Sequence, residues 1–152
     1  MKKLVLFIFA IIISQSCGTY QKISAADLSK EAIYDNLNKS QTDLYIIAND
    51  WMIDAFTNAD SVIQFSDKEE GTIIGKYYLY GNMQTIYGNV IDNRIYAKIS
   101  IQLKDNRAKI NVIPTTDITV YAANITVKLR NDINTLVTSF ESRITANNTT
   151  VW

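Results

Sequence analysis

Hydrophobic and polar positions alternate most strictly over Arg94–Leu103. Ile95, Ala97, Ile99, Ile101 and Leu103 point one way, and Tyr96, Lys98, Ser100 and Gln102 the other. A period of two means a strand with one buried and one wet face. A turn at Lys104-Asp105-Asn106-Arg107 and a returning strand over Ala108–Ile113 complete a hairpin. Pro114 stops that strand because it has no amide proton to donate. Ser61–Tyr80 predicts another hairpin upstream. Val62, Ile63 and Phe65 make its first arm, and Asp67-Lys68-Glu69-Glu70-Gly71 its turn. Thr72–Tyr80 makes its second arm, rich in β-branched and aromatic residues. Gly71 supplies the positive φ that such a loop often needs.

Two stretches follow the helical period instead. Ser40 predicts an N-cap, with Asp43 in the first turn near the positive end of the helix dipole. Leu44, Ile47, Ala48, Trp51, Ala55 and Phe56 then recur at helical spacing through about Asn58, where Asn58 and Asp60 close the helix. Leu129, Ile133, Leu136, Val137, Phe140 and Ile144 make the apolar stripe of a last helix, capped by Asn124 or Thr126 and ended by Asn147-Asn148-Thr149-Thr150. Gly81–Asn93 is long for a hairpin connection; Thr85–Val90 within it has the composition to extend the neighbouring strands. Thr115–Ala123 is a connector with an extended piece at Ile118–Tyr121. Glu31–Leu37 fits a short strand and a helical turn equally well. Two single-stripe helices and a sheet with one apolar face predict an α+β fold: one antiparallel sheet with both helices packed on one face.

The N-terminus has a different logic. Met1-Lys2-Lys3 is a positive n-region, and Leu4–Ile13 is an unbroken apolar run. Such a run is short of the roughly 20 apolar residues that span a bilayer, and suits a signal peptide. Ser14-Gln15-Ser16-Cys17 then resembles the end of a bacterial lipoprotein signal, in which small residues precede a lipid-modified cysteine. Ser16 fits that pattern, whereas Ser14 stands where leucine is usual. The alternative is a plain secretory signal with an incidental cysteine. Residues 1–16 are thus expected as signal peptide, 17–30 as a polar tether with a short helical turn near Ala25–Lys30, 31–146 as the folded domain and 147–152 as a tail. The expected location is the bacterial cell envelope, anchored to the membrane by lipid on Cys17. Gly18 gives no strong inner-membrane retention cue, which favours the outer membrane.

Composition narrows the chemistry. The chain of 152 residues carries 15 basic and 15 acidic residues, no histidine and one cysteine. Loss of Lys2 and Lys3 with the signal leaves a net charge of about −2, unlike the basic footprint of a nucleic-acid binder. Histidine triads, histidine metal sites and zinc–thiolate sites lack their residues. Gly71 and Gly75 stand alone, with no helix following as a phosphate loop requires.

The order strand, helix, four strands, helix results if Glu31–Leu37 is a strand. Trp51 sits late in the first helix; Ala59-Asp60-Ser61-Val62-Ile63-Gln64, the acidic turn to Gly71, and Ile74-Gly75-Lys76 follow. These residues resemble the bacterial family called domain of unknown function 4468, described as having a TBP-like fold. The resemblance covers about Glu31–Ala146 and implies a strand at Glu31–Leu37. It brings no catalytic residues, and a fold shared with a DNA-bending factor does not carry that function over.

Three sets of side chains remain as candidates. Asp67, Glu69 and Glu70 have the oxygen chemistry of a calcium site but not its spacing, so a solvated turn is the better reading. Asp50 and Asp54, one helical turn apart, have the chemistry of an acid/base pair and the placement of a wet helix face. If both helices cover the face with Phe65, Ile99 and Ile101, the opposite face shows Gln64, Lys76, Tyr78, Tyr80, Tyr96, Lys98 and Gln102. Tyr77 then has buried parity. Tyrosine buries area while keeping a polar handle, so this face is the candidate surface for an envelope protein or a glycan; the bland alternative is an ordinary exposed sheet face. No cofactor, metal or nucleic acid is expected, and no catalytic residue is assigned. The reading is of a binding module, with two others behind it: an accessory that adds a strand through an exposed sheet edge, and a carboxylate-dependent hydrolase.

Overall fold

The computed structural model describes residues 21–57, 61–120 and 123–146. The signal peptide, Cys17, the start of the tether and the tail lie outside the described residues, as do Asn58 and Asp60. In chain order the elements are β1 (Gln21–Ile23), α1 (Ala25–Leu28), β2 (Lys30–Tyr34), α2 (Gln41–Ala55), β3 (Val62–Asp67), β4 (Thr72–Tyr80), β5 (Met83–Ile86), β6 (Asn89–Asp92), β7 (Ile95–Lys104), β8 (Arg107–Pro114), β9 (Ile118–Val120) and α3 (Ala123–Thr145). Five strands form one antiparallel sheet in the order β2-β8-β7-β4-β3. Helices α2 and α3 pack on one of its faces. The ambiguous stretch is resolved as strand, since β2 pairs with β8 and sets Ala32 opposite Ile110.

The core lies between helices and sheet. Ile73, Ala97, Ile99, Ile101, Leu103, Ala108, Ile110 and Val112 supply the sheet side; Leu44, Ala48, Trp51 and Met52 come from α2. The whole predicted α3 stripe is buried. Trp51 meets Phe140 edge-on, with centroids 5.1 Å apart, and its indole N–H donates to Ser139 Oγ at 3.0 Å. Both rings therefore bury their area without stranding a polar group.

Local signals explain the turns and ends. Ser40 Oγ accepts from the Asp43 N–H at 3.1 Å, the predicted cap. Asp105 Oδ1 accepts from the Gln41 N–H at 2.8 Å, tying the same helix end to the β7–β8 turn. Asp67 Oδ1 accepts from the Glu69 and Glu70 N–H groups at 2.9 and 3.0 Å. That carboxylate thus shapes the acidic turn, which Gly71 closes with φ +62°. At the far end of α3, Lys39 Nζ donates to the Ile144 carbonyl at 2.9 Å, where a cation complements the helix dipole.

Several expectations are corrected. The segment read as tether is folded from Gln21 on: β1 pairs with β9, and Ile23 and Leu28 are buried in the core. Only two large apolar side chains, Ile23 and Leu28, mark that stretch, too few to show a period. Helix α3 begins at Ala123, ahead of both expected cap residues. Gly81–Asn93 does not extend the sheet. Met83–Ile86 and Asn89–Asp92 pair as a separate two-stranded arm. Its turn has Tyr87 at φ +50° and Gly88 at φ +82°, the positive pair of a tight two-residue hairpin loop.

The open sheet face and the cleft beside it

Register decides which residues share the uncovered face. Lys76 pairs with Lys98 and Tyr78 with Tyr96 across β4 and β7; Thr72 pairs with Gln102. Five of the predicted face residues are therefore brought together: Lys76, Tyr78, Tyr96, Lys98 and Gln102. Tyr78 and Tyr96 contact edge-on at 6.0 Å, and Lys76 Nζ stands 3.7 Å above the Tyr96 ring centroid. That cation–π contact offsets part of the repulsion of two ammonium groups in register.

Two β-bulges change the rest of the prediction. The β3–β4 register slips between Ile63 and Phe65, leaving Gln64 without a register partner. One extra residue reverses the parity of everything beyond it. Phe65 consequently pairs with Ile74 on the open face and is 49% exposed, not on the covered face with Ile99 and Ile101. Ser66 instead turns to the helices, where its hydroxyl meets Tyr45 Oη. The second slip lies between Tyr78 and Tyr80, so Tyr80 pairs with Ile95 on the helix side. Its ring lies 6.0 Å from Lys128 Nζ of α3. Tyr80 is thereby removed from the open face, while Tyr77 keeps the buried parity expected of it, against Phe56 at 5.7 Å.

Reasoning from alternation alone also missed residues that share the face. Val62 lies opposite Lys76 and Phe65 opposite Ile74, giving an apolar strip exposed along β3 and half-buried at Ile74 of β4. On the other flank, Lys109 and Arg107 pair with Glu31 and Asp35 at 2.8 and 3.0 Å. Lys76 and Lys98 have no carboxylate within ion-pair distance among the described residues. The centre of the face is thus cationic and aromatic, with an apolar margin.

Asp50 and Asp54 are engaged elsewhere. Both accept from Arg143 of α3, Asp50 at 3.0 Å, so the pair clamps the two helices together.

A cleft of about 700 Å³ opens where β4 and β7 part, between the base of the β5–β6 arm and β9. Tyr78 and Tyr80 line one side, and Asn82, Gln84 and Asn93 the arm side. Tyr78 Oη donates to the Gly81 carbonyl, and the Asn93 N–H donates to the Asn82 carbonyl at 3.0 Å. These bonds hold the arm base in place. Asp117 is the carboxylate of the lining. The Ala25 N–H and then the Lys22 ammonium hold its carboxyl below the usual carboxylate range.

Architecture and family agree. An antiparallel sheet with two helices on one face, in the order β-α-β(4)-α once the arm, the short α1 and the β1–β9 pair are set aside, is an α+β protein of TBP-like fold. The chain belongs to the domain of unknown function family (DUF4468) with TBP-like fold, whose family model matches residues 35–113. It is similar to a DUF4468 family protein from Bacteroides ovatus, at 15% identity and TM-score 0.54, over 80% of this chain and 88% of the other. It is similar also to a TBP-like protein from Parabacteroides distasonis, at 15% identity and TM-score 0.51, over 76% of this chain and 88% of the other. At such identities the likeness is one of fold. No curated protein matches the chain.

Proposed function

We propose that this protein is a non-catalytic binding module of the bacterial cell envelope, held on a membrane by lipid at Cys17, with the outer membrane favoured. Its open sheet face receives an envelope partner, either a protein with an acidic surface or a glycan. The observation that carries this reading is the facing pair Lys76 and Lys98 beside the facing pair Tyr78 and Tyr96. Like charges placed directly opposite each other on a sheet are destabilising, and a carboxylate from a partner would relieve the repulsion. Exposed Val62 and Phe65 beside the two tyrosines add the aromatic and apolar surface that interface centres favour, and the lysines supply the charge that selects the partner.

The test is a capture assay in envelope extracts with the lipidated chain. Lys76→Glu/Lys98→Glu should abolish capture of a partner that the wild type retains, and Lys30→Glu/Lys68→Glu should not. Undiminished capture by the first variant sinks the reading. Separately, Cys17→Ser should release the protein from membranes; a wild-type mature chain that is already soluble and unlipidated would refute the anchor.

Strand addition at β3 is the second reading, favoured by the exposure of Val62, Ile63 and Phe65 on an edge strand. The bulge at Gln64 weighs against it, because bulges blunt an edge as a pairing template. A hydrolase reading has less support: Asp50 and Asp54 are spent on Arg143.

A further inference from the structure

We infer that the cleft between the β5–β6 arm and β9 is a binding site for an uncharged, hydroxyl-rich ligand, a neutral oligosaccharide. This goes beyond the sheet-face reading and does not depend on it. Volume is the first argument. About 700 Å³ lies within the ~300–1,000 Å³ range of small-molecule sites, whereas a macromolecular partner needs a wide surface rather than a cleft.

The second argument is the chemistry of the walls. Asn82, Gln84 and Asn93 carry side-chain amides, each both donor and acceptor, as sugar hydroxyls are. Gln84 Nε2 donates to Asn82 Oδ1 at 3.1 Å, which presets that pair and leaves the Gln84 carbonyl to accept. The Asn93 amide and the Thr119 hydroxyl have no side-chain partner among the described residues and stand exposed at the cleft. Tyr78 and Tyr80 offer ring surface for the C–H faces of a pyranose, and Ile95, Ile118 and Ile125 complete the apolar part. A few placed polar groups over an apolar wall is the usual make-up of a site that fixes orientation.

Charge is the third argument. Neither lysine nor arginine lines the cleft to pair an anion, and its one carboxylate, Asp117, is already ion-paired with Lys22. Its two oxygens are committed to Ala25 and Lys22, so a cationic ligand would have to displace an existing pair. An uncharged ligand is what remains.

The experiment is a titration of the full folded chain with chitotriose, maltotriose and cellotriose, followed by saturation-transfer NMR and amide shifts. A trigalacturonate titration serves as the acidic control. At least one neutral trisaccharide should bind saturably, and shifts should centre on Tyr80, Asn93 and Thr119. Asn93→Ala and Thr119→Ala, both on exposed positions, should each weaken binding about tenfold without moving the thermal midpoint. Lys76→Glu/Lys98→Glu, whose residues do not line the cleft, should leave the sugar-induced shifts at Asn93 and Thr119 unchanged while abolishing envelope capture, so failure of the sheet-face reading and failure of this one are told apart. No saturable binding of any neutral trisaccharide up to about 10 mM would overturn the inference. Tighter binding of trigalacturonate, or binding indifferent to both cleft variants, would overturn it equally.

Discussion

Gly75 lies directly opposite Ile99 on the covered face of the sheet, and there the end of α2 comes down onto bare backbone. A Cβ at Gly75 would stand 2.5 Å from Met52 Cε and 2.6 Å from Phe56 Cζ. Met52 is fully buried, and Phe56 packs against the core. Both contacting atoms are side-chain tips, so the helix can yield, at the cost of displaced rotamers. Gly75→Ala should therefore cost about 1–3 kcal/mol, and Gly75→Val more. Chemical denaturation should show a lowered midpoint with an unchanged slope. A neutral Gly75→Val would mean that α2 does not seat here.

The bulge at Gln64 separates two apolar residues that look alike in sequence. Ile99 is fully buried and Phe65 half exposed on the other side of the sheet. Ile99→Asp should cost about 4 kcal/mol or more, through an unpaired buried charge and a lost side chain. Phe65→Asp should change stability by about 1 kcal/mol or less, as surface substitutions do. Equal losses in the two variants would show that Phe65 faces the helices and that the bulge is absent.

How legible the fold was depends on what set each element. Strand β7 and the α3 stripe follow from burial, and burial leaves a period: all six predicted α3 positions are buried. Bulges leave none. Nothing in Val62-Ile63-Gln64-Phe65 says that one residue is surplus, because the surplus is defined by the partner strand. Tyr78-Leu79-Tyr80 hides its slip the same way, and the two misplaced face residues both lie at these irregularities. The short β1–β9 pair was illegible for another reason. Its contacts join residues about a hundred positions apart, and Ile23 and Leu28 become core only once β9 and α3 are in place. The cleft was invisible for the same cause, since its walls come from the arm, β4 and the connector before α3.

Gly81 should be irreplaceable at the base of the arm. It adopts φ +101°, and a Cβ there would collide with the Asn93 carbonyl oxygen. Unlike the contact at Gly75, this one is with backbone, which cannot swing away. Gly81→Ala should cost about 2 kcal/mol or more and open the Asn93 N–H bond to the Asn82 carbonyl. Hydrogen exchange should then accelerate across Met83–Asp92 far more than in β7. Unchanged protection of the arm would contradict the geometry.

Acid should loosen the arm and the β1–β9 corner before the core. Hydrogen bonds from the Arg94 side chain and then the Arg94 N–H hold the Asp92 carboxyl down to about 2. The Ala25 N–H and the Lys22 ammonium depress Asp117 in the same direction. A carboxyl whose folded-state value lies below its unfolded one, about 3.9, binds protons more readily in the unfolded chain. Its stabilising contribution is therefore complete above that unfolded value and is lost as pH falls through the folded value. For Asp92 the window runs from about 4 down to about 2. Both groups are solvent-exposed, so salt should shrink the effect. The measurement is the thermal midpoint against pH for the wild type, Asp92→Asn and Asp117→Asn. Each variant should sit below the wild type near neutrality and converge on it at the acid end of the window. A constant gap at every pH would assign the loss to the missing hydrogen bonds alone and remove the carboxylate charge from the account.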